Sequence, residues 1–70
     1  MTDHLFDLFD RVLEIDSDEC RASALHGVGE HEYMRPEKAR AVVARFLKRN
    51  PNLRPELRAY AEKAARGAVQ

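Results

Sequence analysis

An all-α fold of four helices, arranged as two antiparallel helix pairs, is what three features of this 70-residue sequence predict. Apolar residues recur at helical spacing in four segments, and no segment shows the period-two alternation of a half-buried strand. Helix-start signals precede Asp18, Pro36 and Pro55. A short stretch also repeats itself from Glu19 to Glu56, an offset of 37 residues. That length fits one helix–turn–helix unit.

The first helix is expected from Asp3 to about Ile15. Leu5, Phe6, Leu8, Phe9, Val12, Leu13 and Ile15 fill a broad apolar face, while Asp3, Asp7, Asp10 and Glu14 line up on another. Asp10 and Glu14 lie too far along the helix to suit its dipole, so the stripe would gain from a basic neighbour. Asp16-Ser17-Asp18-Glu19 is a restart signal in which Asp16 or Ser17 can cap. The second helix then runs from about Asp18 to Gly29 or slightly beyond, with Cys20, Ala24, Leu25 and Val28 inward. Gly27 and Gly29 each cost about 1 kcal/mol relative to alanine, which calls for a closely approaching neighbour or an end at Gly29. Arg35-Pro36-Glu37 and Arg54-Pro55-Glu56 open the last two helices with proline in the first turn. The third, Pro36 to about Arg49, buries Ala39, Val42, Val43, Phe46 and Leu47, and Asn50-Pro51-Asn52 stops it. The fourth, Pro55 to about Arg66, buries Leu57, Ala61, Ala64 and Tyr60, with Gly67 closing it.

Composition bounds the function. With 44% hydrophobic and 34% charged residues the chain is neither disordered nor fibrous. The single cysteine, Cys20, rules out an intrachain disulfide. No stretch approaches the ~20 apolar residues that span a bilayer, so a cytoplasmic protein with no membrane partner is expected. The formal net charge of zero hides a split. Residues 1–34 carry Arg11 and Arg21 against nine acids, whereas residues 35–70 carry ten basic side chains against Glu37, Glu56 and Glu62. One domain, 1–70, therefore has an acidic first pair (1–34) and a basic second pair (35–70), a pattern that bears on association.

The repeat is Glu19-Cys20-Arg21-Ala22-Ser23-Ala24 against Glu56-Leu57-Arg58-Ala59-Tyr60-Ala61, with four identical positions and a fifth pair apolar in both. Asp18 through Gly29 resembles the inner helix of the HEAT-like repeats of bacterial armadillo-type proteins: an acidic start, an apolar–arginine pair, small residues and a terminal glycine. Cys20 to Gly29 is also similar to a C-x-x-S-A-L-H-G-L-G pattern near the end of some HEAT-like bacterial proteins of uncharacterised function. The resemblance covers residues 5–29 and, more loosely, 36–67; Arg66 stands where the first unit has Gly29. It implies a HEAT-like, right-handed α-solenoid fragment that binds and does not catalyse. Two units fall below the three or more that usually stabilise a solenoid, so the core is expected to be completed by self-association or by a longer chain.

Chemistry is thin. His26 and Glu30 share a helical face, but the spacing to His31 matches no zinc motif, and His31 projects about 100° from Glu30. The expectation is a partly exposed, hydrogen-bonded His26 and no metal site. Cys20 in a first helical turn is crowded by Asp16, Asp18 and Glu19, which opposes thiolate formation, so it reads as a small thiol in a helix seam. No nucleophile–histidine–acid spacing or phosphate loop appears, and neither catalytic activity, a cofactor nor a small-molecule substrate is expected.

The apolar surplus of the first helix points to association, most simply a homo-oligomer. The interface expected from sequence comprises Leu5, Phe6, Phe9 and Leu13, with Asp7, Asp10 and Glu14 set against basic residues of another subunit or repeat. Because a two-fold contact would face acidic stripe to acidic stripe, helix 1 is expected to meet helix 3 or 4 of its partner. The alternative is nucleic-acid contact through Lys38, Arg45, Arg49, Arg54 and Arg58, with Lys63 alongside. The scarcity of aromatics weighs against it, Tyr33 and Tyr60 being the only tyrosines.

Overall fold

The computed structural model describes the backbone of residues 2–68 and the side chains from His4 to Ala68. Asp3, placed above on the acidic stripe, has its side chain outside the described residues. Among those described the fold is all-α, with four helices: α1 (Thr2–Val12), α2 (Asp18–His31), α3 (Pro36–Arg49) and α4 (Pro55–Ala65).

Each boundary has a local cause. α1 closes earlier than its apolar pattern suggests. The Leu13 N–H still reaches the Phe9 carbonyl, but those of Glu14 and Ile15 reach back only three residues, to Arg11 and Val12. The last turn thus tightens into 3₁₀ geometry before Ser17 restarts the chain. Ser17, in extended conformation, caps α2 by accepting the Cys20 N–H at 3.3 Å. α2 runs through both glycines to His31. Gly27 is explained by close approach: a Cβ there would lie 2.5 Å from Phe9 Cζ. α3 and α4 begin at their prolines, as the sequence indicates. α4 ends in a Schellman motif: Gly67 adopts φ +72°, its N–H donating to the Ala64 carbonyl and that of Ala68 to Lys63.

One core joins both halves of the chain. Phe6, Leu13, Ala24, Leu25, Val28, Ala39, Val42, Val43, Phe46, Ala61 and Ala64 are buried together, with Phe9, Val12, Leu47, Leu57 and Tyr60 half-buried around them. α1 lies against α2 and α3, and α4 against α3 and most extensively α2; among the described residues α1 and α4 do not meet. The helices form two layers, α1 beside α3 and α2 beside α4. Small residues, Ala22, Ala24, Ala61 and Ala64, line α2 and α4, where the contact is most extensive. Among the described residues no helix is long and apolar enough to cross a membrane.

Candidate interaction surface

At about 100° per residue, α1 presents three faces. The first, Phe6 and Leu13, is 1% exposed at each position. Both were expected at an intermolecular interface and instead belong to the chain's own core, because α1 is clasped by two helices and not by one. Phe9 is also turned inward, packing edge-on to Phe6 with ring centroids 6.0 Å apart and filling the space above Gly27.

The second face is acidic, and its basic neighbour is in the same chain. Asp10 lies 3.3 Å from Arg45 and 3.9 Å from Arg49, and Glu14 lies 4.0 Å from Arg49. Asp10 and Glu14 thus face basic residues of α3 within their own chain. Asp10 Oδ1 is buried without a hydrogen bond, which leaves the Arg49 charge as its compensation. The same internal pairing recurs at the other end of the layers. Asp18 meets Arg54 and Arg21, Arg21 also reaches Asp16 at 3.5 Å and Asn50 Oδ1 at 3.2 Å, and its guanidinium lies 5.9 Å from the Phe46 ring centroid. Hydrogen bonding to Arg54, then to Arg21, holds the Asp18 carboxyl below the usual range, and Asp18 in turn raises Arg54. Hydrogen bonding to Arg35 similarly lowers Glu37.

These pairs absorb most of the residues proposed for nucleic acid. Arg45, Arg49 and Arg54 face acids of α1 and α2, Arg58 donates to the Pro51 carbonyl at 3.3 Å, and Lys38 also has a partner. Lys63 is exposed.

The third face of α1 is what the core leaves outside. Leu8 is 54% exposed and Ile15 50%, and the half-buried Leu5 and Val12 complete a stripe with them. Leu5, Leu8 and Val12 lie on α1 itself, whereas Ile15 lies beyond the helix end, in the bend before Ser17. Asp10 points to α3 and Phe9 to α2, so Leu8 is turned away from α3. Beside it, His4, Asp7, Leu8 and Arg11 enclose a hollow of about 260 Å³ on the outer surface of α1. Leu8 and Ile15 belong to the apolar surplus of the first helix read from sequence, although the interface residues singled out there are Leu5, Phe6, Phe9 and Leu13.

On the opposite side, His26 bridges the α2–α4 layer. Its Nδ1 lies 3.1 Å from the Tyr60 hydroxyl and its Nε2 3.4 Å from Glu30. His31 is held elsewhere, its Nδ1 2.8 Å from the Gly27 carbonyl. Among the described residues no three metal-binding side chains converge. A shallow groove of about 400 Å³ runs beside Tyr60, floored by Ala22 and Leu57 and edged by Asp18, Arg54 and Glu56. Cys20 is half-buried.

No protein-family model, no curated protein and no solved structure matches this chain.

Proposed function

We propose that this chain is a non-enzymatic protein-interaction module, two HEAT-like helix pairs stacked as a right-handed α-solenoid fragment, that self-associates through α1 in the cytoplasm. The stacking is supported by the contact order, in which α1 meets α3 and α2 meets α4. The repeat supports it too, since Ala24 and Ala61 at matching positions are both buried.

The observation that carries the interaction reading is the exposed Leu8, flanked on α1 by the half-buried Leu5 and Val12, with the exposed Ile15 just beyond the helix end. The solvent sides of α3 and α4 carry instead Glu37, Arg40, Lys48, Glu62 and Lys63. In a solenoid a polar outer face marks a capped end and an apolar one marks a joint. Acidic-to-basic complementarity is no longer part of the contact, because Asp10 and Glu14 are answered inside the chain. Light scattering at low and high salt tests the proposal. The expected result is a mass above the monomer that persists in high salt, and a monomeric Leu8→Glu variant with unchanged far-UV circular dichroism. A wild-type chain that stays monomeric at every concentration and salt would overturn self-association. Mass lost on adding salt would return the argument to charge, and salt-sensitive binding of oligonucleotides would revive the basic residues as contacts.

A further inference from the structure

We infer that the hollow between the start of α2 and the α3–α4 connection is a binding site for a soluble phosphate monoester the size of a sugar phosphate. The inference stands apart from the self-association proposed above.

The hollow measures about 330 Å³. Asp18 and Arg21 wall it from the start of α2, Arg49 and Asn50 from the end of α3, and Asn52 and Arg54 from the connection to α4. Asn50 fixes the junction: its side-chain N–H returns to the Phe46 carbonyl at 2.9 Å, and its Oδ1 accepts from Arg21 at 3.2 Å. Asp18 and Arg21, three residues apart, share one face of α2.

Three guanidinium groups against the single carboxylate of Asp18 give the wall a net charge of +2. Asp18 is already spent, one oxygen on Arg21 and the other on Arg54, and it spaces those two cations. Arg21 is the fixed member. Its side chain is 15% exposed and lies over the Phe46 ring, and a cation withdrawn from water attracts an anion more strongly than an exposed one. Arg49 supplies the unspent donors. Among the described residues its acidic contacts are Asp10 at 3.9 Å and Glu14 at 4.0 Å, both too long for hydrogen bonds, so its five N–H groups remain to be used. Neither of those acids lines the hollow. Asp16 approaches Arg21 at 3.5 Å from outside it and is 98% exposed, so water screens its charge.

The charge and the donors select the ligand. A phosphate monoester carries about −1.5 to −2 at neutral pH with three acceptor oxygens, whereas a carboxylate would answer half of the wall. Planar guanidinium forks fit phosphate oxygens in pairs. The volume lies at the lower end of the roughly 300–1,000 Å³ typical of small-molecule sites, room for a sugar whose hydroxyls meet the exposed Asn52 at the rim. A nucleic-acid strand running past the rim would instead meet the exposed Asp16 and Glu14.

Titration of ribose 5-phosphate into the isotope-labelled chain, followed by amide NMR, tests the site. The expected result is saturable movement of the Asn50, Asn52, Leu53 and Arg54 amides, and none with ribose. Arg49→Gln, checked for unchanged far-UV circular dichroism, should weaken binding roughly tenfold or more, the loss of charge-assisted hydrogen bonds. Lys63→Gln, the same charge change on the exposed side of α4, should leave it within about twofold. Movement that never saturates, or equal weakening in the two variants, would reduce the effect to general attraction and overturn the site. Tighter binding of a single-stranded oligonucleotide without a terminal phosphate would overturn the small-ligand assignment.

Discussion

Replacing Gly27 by alanine sets two effects of known sign against each other. In a helix interior the change is worth about 1 kcal/mol in favour of alanine. Here the new methyl would stand 2.5 Å from Phe9 Cζ and 2.6 Å from Cε1, roughly 1 Å inside normal contact. The ring has little room to retreat. Phe6 meets it edge-on at 6.0 Å, and His31 lies 6.0 Å away, itself held by the Gly27 carbonyl. Overfilling such a site costs about 1–3 kcal/mol. The balance is a net loss of about 1 kcal/mol, or a fall of ~4–8 °C in Tm for a domain of this size. Thermal unfolding followed at 222 nm reads the shift. Phe9→Leu should then change the sign of the second substitution, making Gly27→Ala stabilising by about 0.5–1 kcal/mol in that background. A Gly27→Ala protein as stable as the parent, or more so, would refute the claim that Phe9 is what requires glycine there.

Three other outcomes follow from the same geometry. Gly67→Ala places a side chain at φ +72° and 2.7 Å from Glu32 Oε1, and should lower Tm by an amount corresponding to about 1–2 kcal/mol, measured by thermal unfolding. Asp18 has its folded pKa depressed below 3.8 by Arg54 and Arg21. Its contribution is therefore complete above the unfolded value and lost as pH falls through the folded one. The Tm gap between the parent and Asp18→Asn should narrow steadily from pH ~5 to pH ~2, and a gap constant across that range would contradict the pairing. For Leu8→Ala, full burial of a leucine is worth about 2–3 kcal/mol, and Leu8 has half of its surface left to bury in each of two copies. Sedimentation equilibrium should show a dimer Kd raised by roughly 30-fold, with little change in the monomer's helicity.

How much of this was legible depends on which information is local. The starts of α3 and α4 follow from prolines that fit only a first turn, and the end of α4 from a glycine that must reach positive φ. The inward residues of α3 could be read from one helix alone, because its buried residues Ala39, Val42, Val43 and Phe46 occupy a single face. α1 could not be read this way. Its apolar residues cover too wide an arc for one neighbour, and whether the excess is core or interface depends on how many helices clasp it. That number is set by packing between segments some thirty residues apart. Phe6 and Leu13 are thus core and Leu8 surface, a division that the helical pattern of α1 does not show. Gly27 shows the same limit: the sequence indicates a close approach, but only packing identifies Phe9 as the group that makes it.

The charge split is the feature whose meaning changed most, and magnitudes show what it can do. Arg45, Arg49 and Arg54 are each at least 40% exposed in their ion pairs, and pairs of that kind are worth about 0–1 kcal/mol apiece. A handful of them cannot hold two hairpins together; Phe6, Leu13, Leu25 and Phe46 do that. They can, however, discriminate between ways of docking. An acidic first hairpin laid on a basic second one has a preferred face. Any arrangement that turned Asp10 and Glu14 toward the exposed Glu37 or Glu62 would exchange attraction for repulsion at several positions at once. The split thus selects an orientation whose strength comes from apolar burial. The same choice turns Asp10 and Glu14 away from Leu8, which stays exposed on the other side of α1.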